Sequence, residues 1–451
     1  MIRLLLASVA LCAVISSAAF ADEKAFPAKL VAQSVIPANT MIPAPADAAD
    51  FLKTSGKFTA SGKRTEALGT IPGKDGARLT GLSLPFNGQP LQGFSGIKAM
   101  ADGTFWTLSD NGFGAKANSS DAMLMLHHIK FDWTAGKVER LGTVFLSDPN
   151  RKAPFPIVME GAAKRYLTGA DFDVESIQPV ADGFFVGEEF GPYILKFNTE
   201  GQLTDVIATL ADGKPVLSPD NTTLSVPANP TAKMPAFNLK RSGGYEGLAM
   251  SKDGAKLYGL LEGPLFKEDG SVEKADTQTA LRILELDAAS KSWTGRSWLY
   301  PLSEGGAAIG DFNMIDGTTA LVIERDGGAG TADKACADPK KPEPTCFDQP
   351  ARHKRIYKIE MSDENAGKAV RKIGYIDLMN IADPDNKAKQ GAKDGIYTMP
   401  FVTIENVDVV DATHIVVGND NNLPFSAGRA VDRADDNEFV LLDVSDFLAA
   451  R

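Results

Sequence analysis

From about residue 64 onward, the chain consists of short apolar runs separated by turn residues, and almost no segment has the period of a long amphipathic helix. Five segments share one plan: a polar residue within an apolar run, a turn, a second apolar run, and an acidic or amide cluster at its end. They are FSGIKAMADGTFWTLSDNGFG from Phe94, VESIQPVADGFFVGEEFGP from Val174, YEGLAMSKDGAKLYGLLEGPL from Tyr245, GDFNMIDGTTALVIERDGG from Gly310 and IENVDVVDATHIVVGNDNN from Ile404. In four of them the turn is Asp-Gly, a strong signal for a hairpin. The pattern therefore predicts five related β-hairpins.

A third apolar run follows every hairpin, and a fourth follows in four of the five units. Four antiparallel strands per repeat are typical of a β-propeller blade. We therefore predict an all-β fold, a β-propeller of five or six four-stranded antiparallel blades. The last unit stops without a fourth strand, so we expect a strand within residues 64–70 or 79–84 to pair with the C-terminal strand and close the ring. An array of two-sheet β-sandwiches is the alternative.

The chain divides into three parts. Residues 1–21 read as a signal peptide, residues 22–60 as an irregular N-terminal arm, and residues 61–451 as a single propeller domain. The repeats are longer than the roughly 40–50 residues that a compact blade needs. We assign the surplus to long loops near residues 212–243 and 327–352, which leave room for a sixth, degenerate blade.

The N-terminus has the three parts of a secretory signal. Arg3 is followed by an apolar stretch at residues 4–15, and Ala19-Phe20-Ala21 forms a cleavage site. We expect cleavage after Ala21 and a periplasmic or secreted protein, with an uncleaved N-terminal anchor as the alternative. No later stretch approaches the roughly 20 apolar residues that a membrane span needs.

Composition narrows the class of protein further. With 43% hydrophobic and 23% charged residues the chain is globular, and its 42 glycines and 26 prolines agree with many turns. The formal net charge of -11 argues against nucleic acid as a partner, because a phosphate backbone attracts basic proteins. Without the signal peptide two cysteines remain, Cys336 and Cys346, and we expect them to form a disulfide in the oxidising environment outside the cytoplasm.

Polar residues occur at two matching positions in every unit. The first positions are Ser95, Glu175, Glu246, Asp311 and Glu405, and the second are Asp110, Glu189, Glu262, Glu324 and Asn419. The start of one strand and the end of the next lie at the same end of an antiparallel hairpin, so the ring would gather all ten at one mouth of its channel. Further polar residues at this rim are Asn111, Glu188, Asp326, Asp420 and Asn421.

So many carboxylates cannot all stay ionised at close range unless a cation compensates them. Ca²⁺ is the simplest partner because it takes six to eight oxygen ligands from flexible loops. The predicted metal ligands are Glu175, Glu246, Asp311, Glu324, Glu405, Asn419 and Asp420. The predicted substrate-binding residues are Ser95, Asp110, Asn111, Glu188 and Asp326. Alternatively, these polar residues only satisfy backbone groups and turns, as they do in propellers that bind nothing.

The runs GFSGI, SDNGFG, GGYEGLAM, LLEGPL, IERD and VGNDNN, in this order, resemble the exported bacterial proteins of the "esterase-like activity of phytase" family. The resemblance covers roughly residues 79–444. It implies a hydrolase of phosphate or carboxylic esters on a propeller similar to the phytase-like propellers that use Ca²⁺. The chain lacks an evident dense cluster of Lys and Arg, so phytate itself is a poor candidate for the substrate.

The leading hypothesis is a Ca²⁺-dependent hydrolase of a small-molecule ester, phosphoester before carboxylic ester. Glu189 or Glu262 would act as the general base, and Arg325 would stabilise developing negative charge. The second hypothesis is a propeller without catalytic activity that binds a ligand or a protein through the same mouth. The third is lactone hydrolysis at a single central Ca²⁺ held by Glu405, Asn419 and Asp420.

Overall fold

The computed structural model describes residues 23–58, 70–223 and 237–451. Strands dominate this part of the chain, and its helices are short. They are the 3-10 helices Asp50–Leu52, Lys116–Asn118 and Ala332–Lys334 and the α-helix Ser445–Ala449. Within the described ranges, no helix is long and apolar enough to cross a bilayer. The predicted all-β class is confirmed.

Twenty strands form five antiparallel sheets of four strands each, numbered here in chain order and given from the innermost strand outward. Sheet 1 contains Phe94–Ala99, Phe105–Ser109, Met125–Asp132 and Lys137–Phe145, and sheet 2 contains Val174–Val180, Gly183–Glu188, Tyr193–Phe197 and Leu203–Ala208. Sheet 3 contains Tyr245–Met250, Lys256–Leu261, Gln278–Asp287 and Ser292–Pro301. Sheet 4 contains Ala308–Met314, Thr319–Arg325, Lys354–Glu360 and Arg371–Asp377, and sheet 5 contains Ile404–Val409, His414–Asn419, Asn437–Asp443 and Lys29–Ile36.

The five sheets stand around a common centre. The innermost strand of each sheet contacts the innermost strand of the next, and that of sheet 5 contacts that of sheet 1. Five apolar clusters fill the spaces between successive sheets, the fifth of them between sheets 5 and 1. Each sheet therefore buries both of its faces against neighbours, and the propeller-like architecture is confirmed.

The outer strand of sheet 5 comes from the N-terminal segment. Lys29–Ile36 pairs antiparallel with Asn437–Asp443, so the prediction that residues 22–60 are irregular is wrong at this strand. Of the two segments expected to supply this strand, only the second is fully described, and it pairs elsewhere. Residues 64–69 lie outside the described residues, and Arg78–Leu84 forms a hairpin with Ile71–Asp75 instead.

Short strands occupy the edges and the connections. Ala25–Phe26 adds a parallel strand to the outer edge of sheet 4. The others are Met41–Ile42, Thr54–Ser55, Phe86–Asn87, Gln89–Pro90, Leu210–Ala211, Lys214–Pro215, Lys274–Ala275, Ile381–Ala382, Ala392–Lys393 and Ile396–Tyr397. The predicted disulfide between Cys336 and Cys346 is confirmed, and it lies in the long connection after sheet 4's second strand. Residues 224–236 of the other predicted long loop lie outside the described chain.

Side chains that hydrogen-bond across the inner strands fill the centre of the ring. Asp311 Oδ2 of sheet 4 accepts hydrogen bonds from the backbone N–H of Ile97 in sheet 1, at 3.1 Å, and of Val407 in sheet 5, at 3.0 Å. Asn313 Nδ2 donates to the carbonyl oxygens of the same two residues at 3.2 and 2.9 Å. These four bonds tie three inner strands together.

Gln178 extends this network to the remaining two sheets. Its Nε2 donates to Asn313 Oδ1 at 2.9 Å and to the carbonyl oxygen of Leu248 in sheet 3 at 2.6 Å. We call Asp311, Asn313 and Gln178 the axial hub, because their hydrogen bonds join the inner strands of all five sheets. Burial raises the pKa of Asp311 to about 7, and the backbone donors oppose part of this rise.

We expect Asn313→Ala to lower the free energy of unfolding by about 2 kcal/mol or more, because it leaves several buried backbone and side-chain groups without partners. Urea unfolding followed by tryptophan fluorescence would measure the change. The control is Asn39→Ala at an exposed turn, for which we expect a change within about 0.5 kcal/mol. Equal effects of the two substitutions would contradict the role of the hub.

Candidate functional site

The inner strands of sheets 2, 3 and 5 each have a β-bulge at a glutamate. Glu175, Glu246 and Glu405 have no partner residue on the second strand, while the residues on either side of them are paired. A bulge interrupts the alternation of side chains and turns one of them away from the regular face of the sheet. The same local irregularity thus redirects a glutamate in three of the five sheets.

Sheet 4 departs from this pattern. Its bulge contains Gly310 and Asp311, and Gly310 takes the place that the glutamate has in the other sheets. A Cβ atom at Gly310 would lie 2.2 Å from the carbonyl oxygen of Ile404, so no side chain fits there. The predicted equivalence of Asp311 with the glutamates is therefore wrong by one residue. Asp311 belongs to the axial hub instead of the predicted metal site.

A second ring of polar residues lies at the ends of the second strands. These residues are Asp110, Glu189, Glu262, Arg325 and Asp420. Each of them directly follows a residue that pairs with Phe94, Val174, Tyr245, Ile309 or Ile404 of the inner strand. In sheets 4 and 5 the predicted second positions, Glu324 and Asn419, therefore lie one residue before the ring.

The side chains of Glu324 and Asn419 form hydrogen bonds with residues outside the second ring. Glu324 accepts hydrogen bonds from Tyr300 Oη at 2.7 Å and Lys372 Nζ at 2.8 Å, and the pKa of this carboxyl is lowered to about 2 because these and other donors outweigh its burial. The Asn419 side chain donates to two carbonyl oxygens and accepts from the backbone N–H of Glu438 at 2.7 Å. Neither side chain is placed to hold a metal ion with the others.

Most of the predicted substrate-binding residues have local partners. Ser95 Oγ donates to the carbonyl oxygen of Glu175 at 2.6 Å. Glu188 accepts three backbone N–H groups of the turn that follows it, and Asp326 accepts backbone N–H groups and a lysine of sheet 4. Asn111 Oδ1 accepts two backbone N–H groups of its own loop. Only Asp110 of this set joins the group of acids described next.

Eight acidic side chains converge at this end of the ring, and we call them the carboxylate cluster. They are Asp110, Asp173, Glu175, Glu189, Glu246, Glu262, Glu405 and Asp420. Six of the eight are buried, and Asp110 and Glu262 are partly exposed. The structure thus brings together most of the acids that the repeat pattern predicts and adds Asp173.

Burial and mutual repulsion act on these acids in the same direction. Burial, followed by the charges of Asp173 and Glu246, raises the pKa of Glu175 well above its ordinary value. Burial and then the charge of Asp420 raise the pKa of Glu405 to about 8, and burial raises the pKa of Asp420 to about 6. Each carboxylate therefore makes ionisation of its neighbours harder unless a cation is present.

Asp173, Glu175 and Glu189 form a tight group within the cluster. One carboxylate oxygen of each lies within 4.8 Å of the other two. Asp173 Oδ1, Glu189 Oε1 and Glu246 Oε1 are buried, and none of them has a hydrogen-bond partner within the described residues. Buried polar atoms are normally paired, so these three oxygens have unused capacity to coordinate a cation.

Two cationic side chains contact the cluster. Lys240 Nζ contacts Glu262 Oε2 at 2.6 Å. Arg325 Nη2 lies 3.5 Å from Glu262 Oε1 and 3.3 Å from Glu405 Oε1. The site therefore combines free carboxylate oxygens with two cations that flank Glu262.

The repeat pattern misses Asp173 and Lys240 for different reasons. Asp173 precedes the inner strand of sheet 2, and the residues that precede the inner strands of sheets 1, 3 and 5 are Gly93, Gly244 and Thr403. An acid that occurs in a single unit leaves no signal in a comparison of repeats. Lys240 lies in a connection between sheets, where no periodic pattern fixes the position of a side chain.

Comparisons with known proteins identify the family of this chain. A 135-residue match to an "Uncharacterized secreted protein" of Arthroderma benhamiae is 33% identical and covers 28% of this chain and 25% of that relative's length. Hydrazine synthase of Kuenenia stuttgartiensis aligns with a TM-score of 0.32 at 12% identity, over 73% of this chain and 78% of that chain. The Pseudomonas aeruginosa periplasmic gluconolactonase PpgL aligns with a TM-score of 0.30 at 11% identity, over 78% and 88%. These structural alignments say nothing about activity. The family described as "Phytase-like: Esterase-like activity of phytase" matches residues 89–423, and the chain belongs to this family.

Proposed function

We propose that the protein is an exported, metal-dependent hydrolase of esters, and that the carboxylate cluster is its active site. The observation that carries this proposal is the group of buried carboxylate oxygens without hydrogen-bond partners. It belongs to the same cluster that Arg325 contacts, in a member of an esterase-like family. Structural acids normally have their oxygens satisfied by the fold, as Glu188 does.

The donor atoms of this group fit a hard cation. Asp173, Glu175 and Glu189 offer only carboxylate oxygens, which suit Ca²⁺ better than the softer metals that prefer nitrogen or sulfur ligands. Glu246, which carries the third unpaired oxygen, is not a member of this group of three residues. Bound there, Ca²⁺ would polarise an ester oxygen and make a water molecule more acidic.

Arg325 and Lys240 would bind the substrate. Their contacts with Glu262 hold both cationic groups at the cluster, where they stabilise negative charge that develops on the ester. These same contacts occupy both oxygens of the Glu262 carboxylate. Glu189 belongs to the ligand group. We therefore assign the role of general base to Glu246, whose free oxygen lies within the cluster.

The charge of the site limits the choice of substrate. Eight carboxylates face two cationic side chains, Arg325 and Lys240. A substrate with many phosphate groups, such as phytate, would add more negative charge to an acidic site. We therefore propose a small ester with low negative charge, a carboxylic ester or a simple phosphoester.

Export is part of the proposal. The predicted signal peptide falls on residues outside the described chain, but the disulfide between Cys336 and Cys346 suits an oxidising compartment. The matched relative is described as a secreted protein. We propose a periplasmic or secreted protein with five blades that the strand Lys29–Ile36 closes into a ring.

We expect the purified protein with Ca²⁺ to hydrolyse at least one substrate in a panel of nitrophenyl phosphomonoester, phosphodiester, acetate ester and γ-lactone. A chelator should abolish the activity, and added Ca²⁺ should restore it. Initial rates measured by absorbance test this prediction. Absence of turnover of every substrate by the metal-loaded protein would leave a non-catalytic binding propeller as the better reading.

We expect Glu189→Gln to raise the Ca²⁺ concentration needed for half-maximal activity by about tenfold or more, since one charged ligand is lost. We expect Arg325→Met to lower kcat/KM by about 100-fold, because a donor to the developing charge is lost. The matched control is Glu200→Gln at an exposed turn, which should behave like the unchanged protein. Titration of Ca²⁺ against the initial rate separates these effects, and an unchanged Ca²⁺ requirement in Glu189→Gln would contradict the ligand assignment.

We expect the free energy of unfolding in chelator to fall as the pH rises from about 4.5 to about 8. The pKa of Glu405 is about 8 in the folded protein, against an ordinary value of 4.5. Between these values the folded state keeps a proton that the unfolded state has lost, so its stabilising effect is complete below pH 4.5 and is lost as the pH rises through 8. Urea unfolding at several pH values measures the slope. Glu405→Gln should flatten it and Glu200→Gln should not, and stability that rises over this range would refute the prediction.

A further inference from the structure

A large cavity lies beside sheets 3 and 4, away from the carboxylate cluster. Its volume is about 1030 Å³, and its lining includes Pro301 of sheet 3 and Tyr375 of sheet 4. Ligand sites for small molecules commonly fall in the range of about 300–1,000 Å³. No member of the carboxylate cluster lines it, so any ligand here would be distinct from the proposed substrate.

The charged residues of this cavity are mostly basic. They are Lys24, Arg355, Arg371 and Lys372, against Glu23 and Glu304. Lys372 also pairs with the buried carboxylate of Glu324 at 2.8 Å, whereas the Nε atom of Arg355 is buried and has no hydrogen-bond partner in the described part of the chain. The cavity therefore has spare capacity to bind an anion.

The side chain of Glu23 occupies one end of the cavity. Ser303 Oγ donates to Glu23 Oε1 at 2.7 Å, and Tyr357 Oη donates to Glu23 Oε2 at 2.6 Å. Arg355 Nη1 and Lys372 Nζ lie 3.6 and 3.8 Å from the same carboxylate. Two hydroxyl groups and two cations thus surround one carboxylate, and each hydroxyl donates to a different oxygen. Ser303 lies in the connection between sheets 3 and 4, and the other three residues belong to sheet 4.

The segment that carries Glu23 pairs with sheet 4 through a short strand, and Phe26 of this strand packs against Phe447. Ala25–Phe26 pairs with Tyr375 and Ile376 as a two-residue parallel strand, and Tyr375 N donates to the carbonyl oxygen of Lys24 at 2.9 Å. Short terminal strands of this kind open at low free-energy cost compared with the core. Glu23 can therefore leave its partners without unfolding sheet 4.

We propose that this cavity is a second ligand site, which binds a small organic carboxylate in place of Glu23. The ligand's carboxylate takes the hydrogen bonds of Ser303 and Tyr357 and the charges of Arg355 and Lys372, and the rest of the ligand occupies the cavity. Glu23 acts as a tethered competitor, so free ligand binds only to the fraction of molecules in which the N-terminal segment has opened. The proposal does not depend on hydrolytic activity at the carboxylate cluster.

Succinate is the probe, and isothermal titration calorimetry measures its affinity for the purified protein. Removal of the tethered carboxylate by Glu23→Gln should lower the dissociation constant for succinate by about tenfold or more, because the site is then free in nearly all molecules. Adding Arg355→Met to Glu23→Gln should reverse this gain. Absence of succinate binding to Glu23→Gln would overturn the proposal.

The matched control is Glu304→Gln, which removes a carboxylate from the same cavity without touching the partners of Glu23. An equal gain in succinate affinity in this variant would mean that the loss of any negative charge near the cavity is sufficient, and it would overturn the proposal. Inorganic phosphate is the second probe. Binding of phosphate without binding of succinate would overturn the assignment of a carboxylate ligand.

A measurement on the unchanged protein keeps the proposal testable if Glu23→Gln fails to fold. Succinate should displace the N-terminal segment and speed hydrogen exchange of the Tyr375 amide, which donates to Lys24. The amide of Tyr357, within sheet 4, should keep its rate. Unchanged exchange at Tyr375 in saturating succinate would contradict displacement of Glu23.

Discussion

Hydrogen bonds across the centre hold the inner strands of the five sheets in fixed positions relative to one another. Asn313 alone contacts sheets 1, 2 and 5 through its amide, and Asp311 is buried with its oxygens on backbone N–H groups. Each inner strand pairs with the second strand of its sheet on its outer side, and no strand pairs with its inner edge in the described residues. The axial hub supplies the missing cross-links and thereby fixes where the ends of these strands, and the acids they carry, can lie.

The rigid ring makes an otherwise unfavourable arrangement possible. Eight acids at such close range would move apart on a flexible surface, since like charges destabilise the state that holds them together. Here glutamates at bulges are locked by paired residues on both sides, and the cost is covered by the packing between sheets. Local conflict that the surrounding structure sustains is typical of functional sites.

The sequence predicts what repeats and misses what occurs once. The hairpins of all five units follow from short-range alternation and Asp-Gly turns, and most acids of the cluster follow from matching positions in those hairpins. Lys29–Ile36 pairs with a strand about 400 residues away, and no local pattern encodes such a partner. Asp311 fails for a different reason: a bulge shifts the register by one residue, and only the paired backbone reveals which residue occupies the bulge.

The repeat is broken at sheet 4, and this break makes the charge at the site differ from one sheet to another. With five equivalent sheets the second ring would carry five acids, and a substrate would meet the same charge on every side. Close approach of sheets 4 and 5 leaves no room for a side chain at Gly310. Sheet 4 therefore has no glutamate at the bulge position that Glu175, Glu246 and Glu405 occupy in sheets 2, 3 and 5. It contributes Arg325 to the second ring instead, and the guanidinium reaches acids of sheets 3 and 5. Asp173, which precedes the inner strand of sheet 2, adds an acid to that sheet alone. The departure in sheet 4 thus places a positive charge among the acids, and the departure in sheet 2 adds a negative charge, so charge is distributed unequally around the ring.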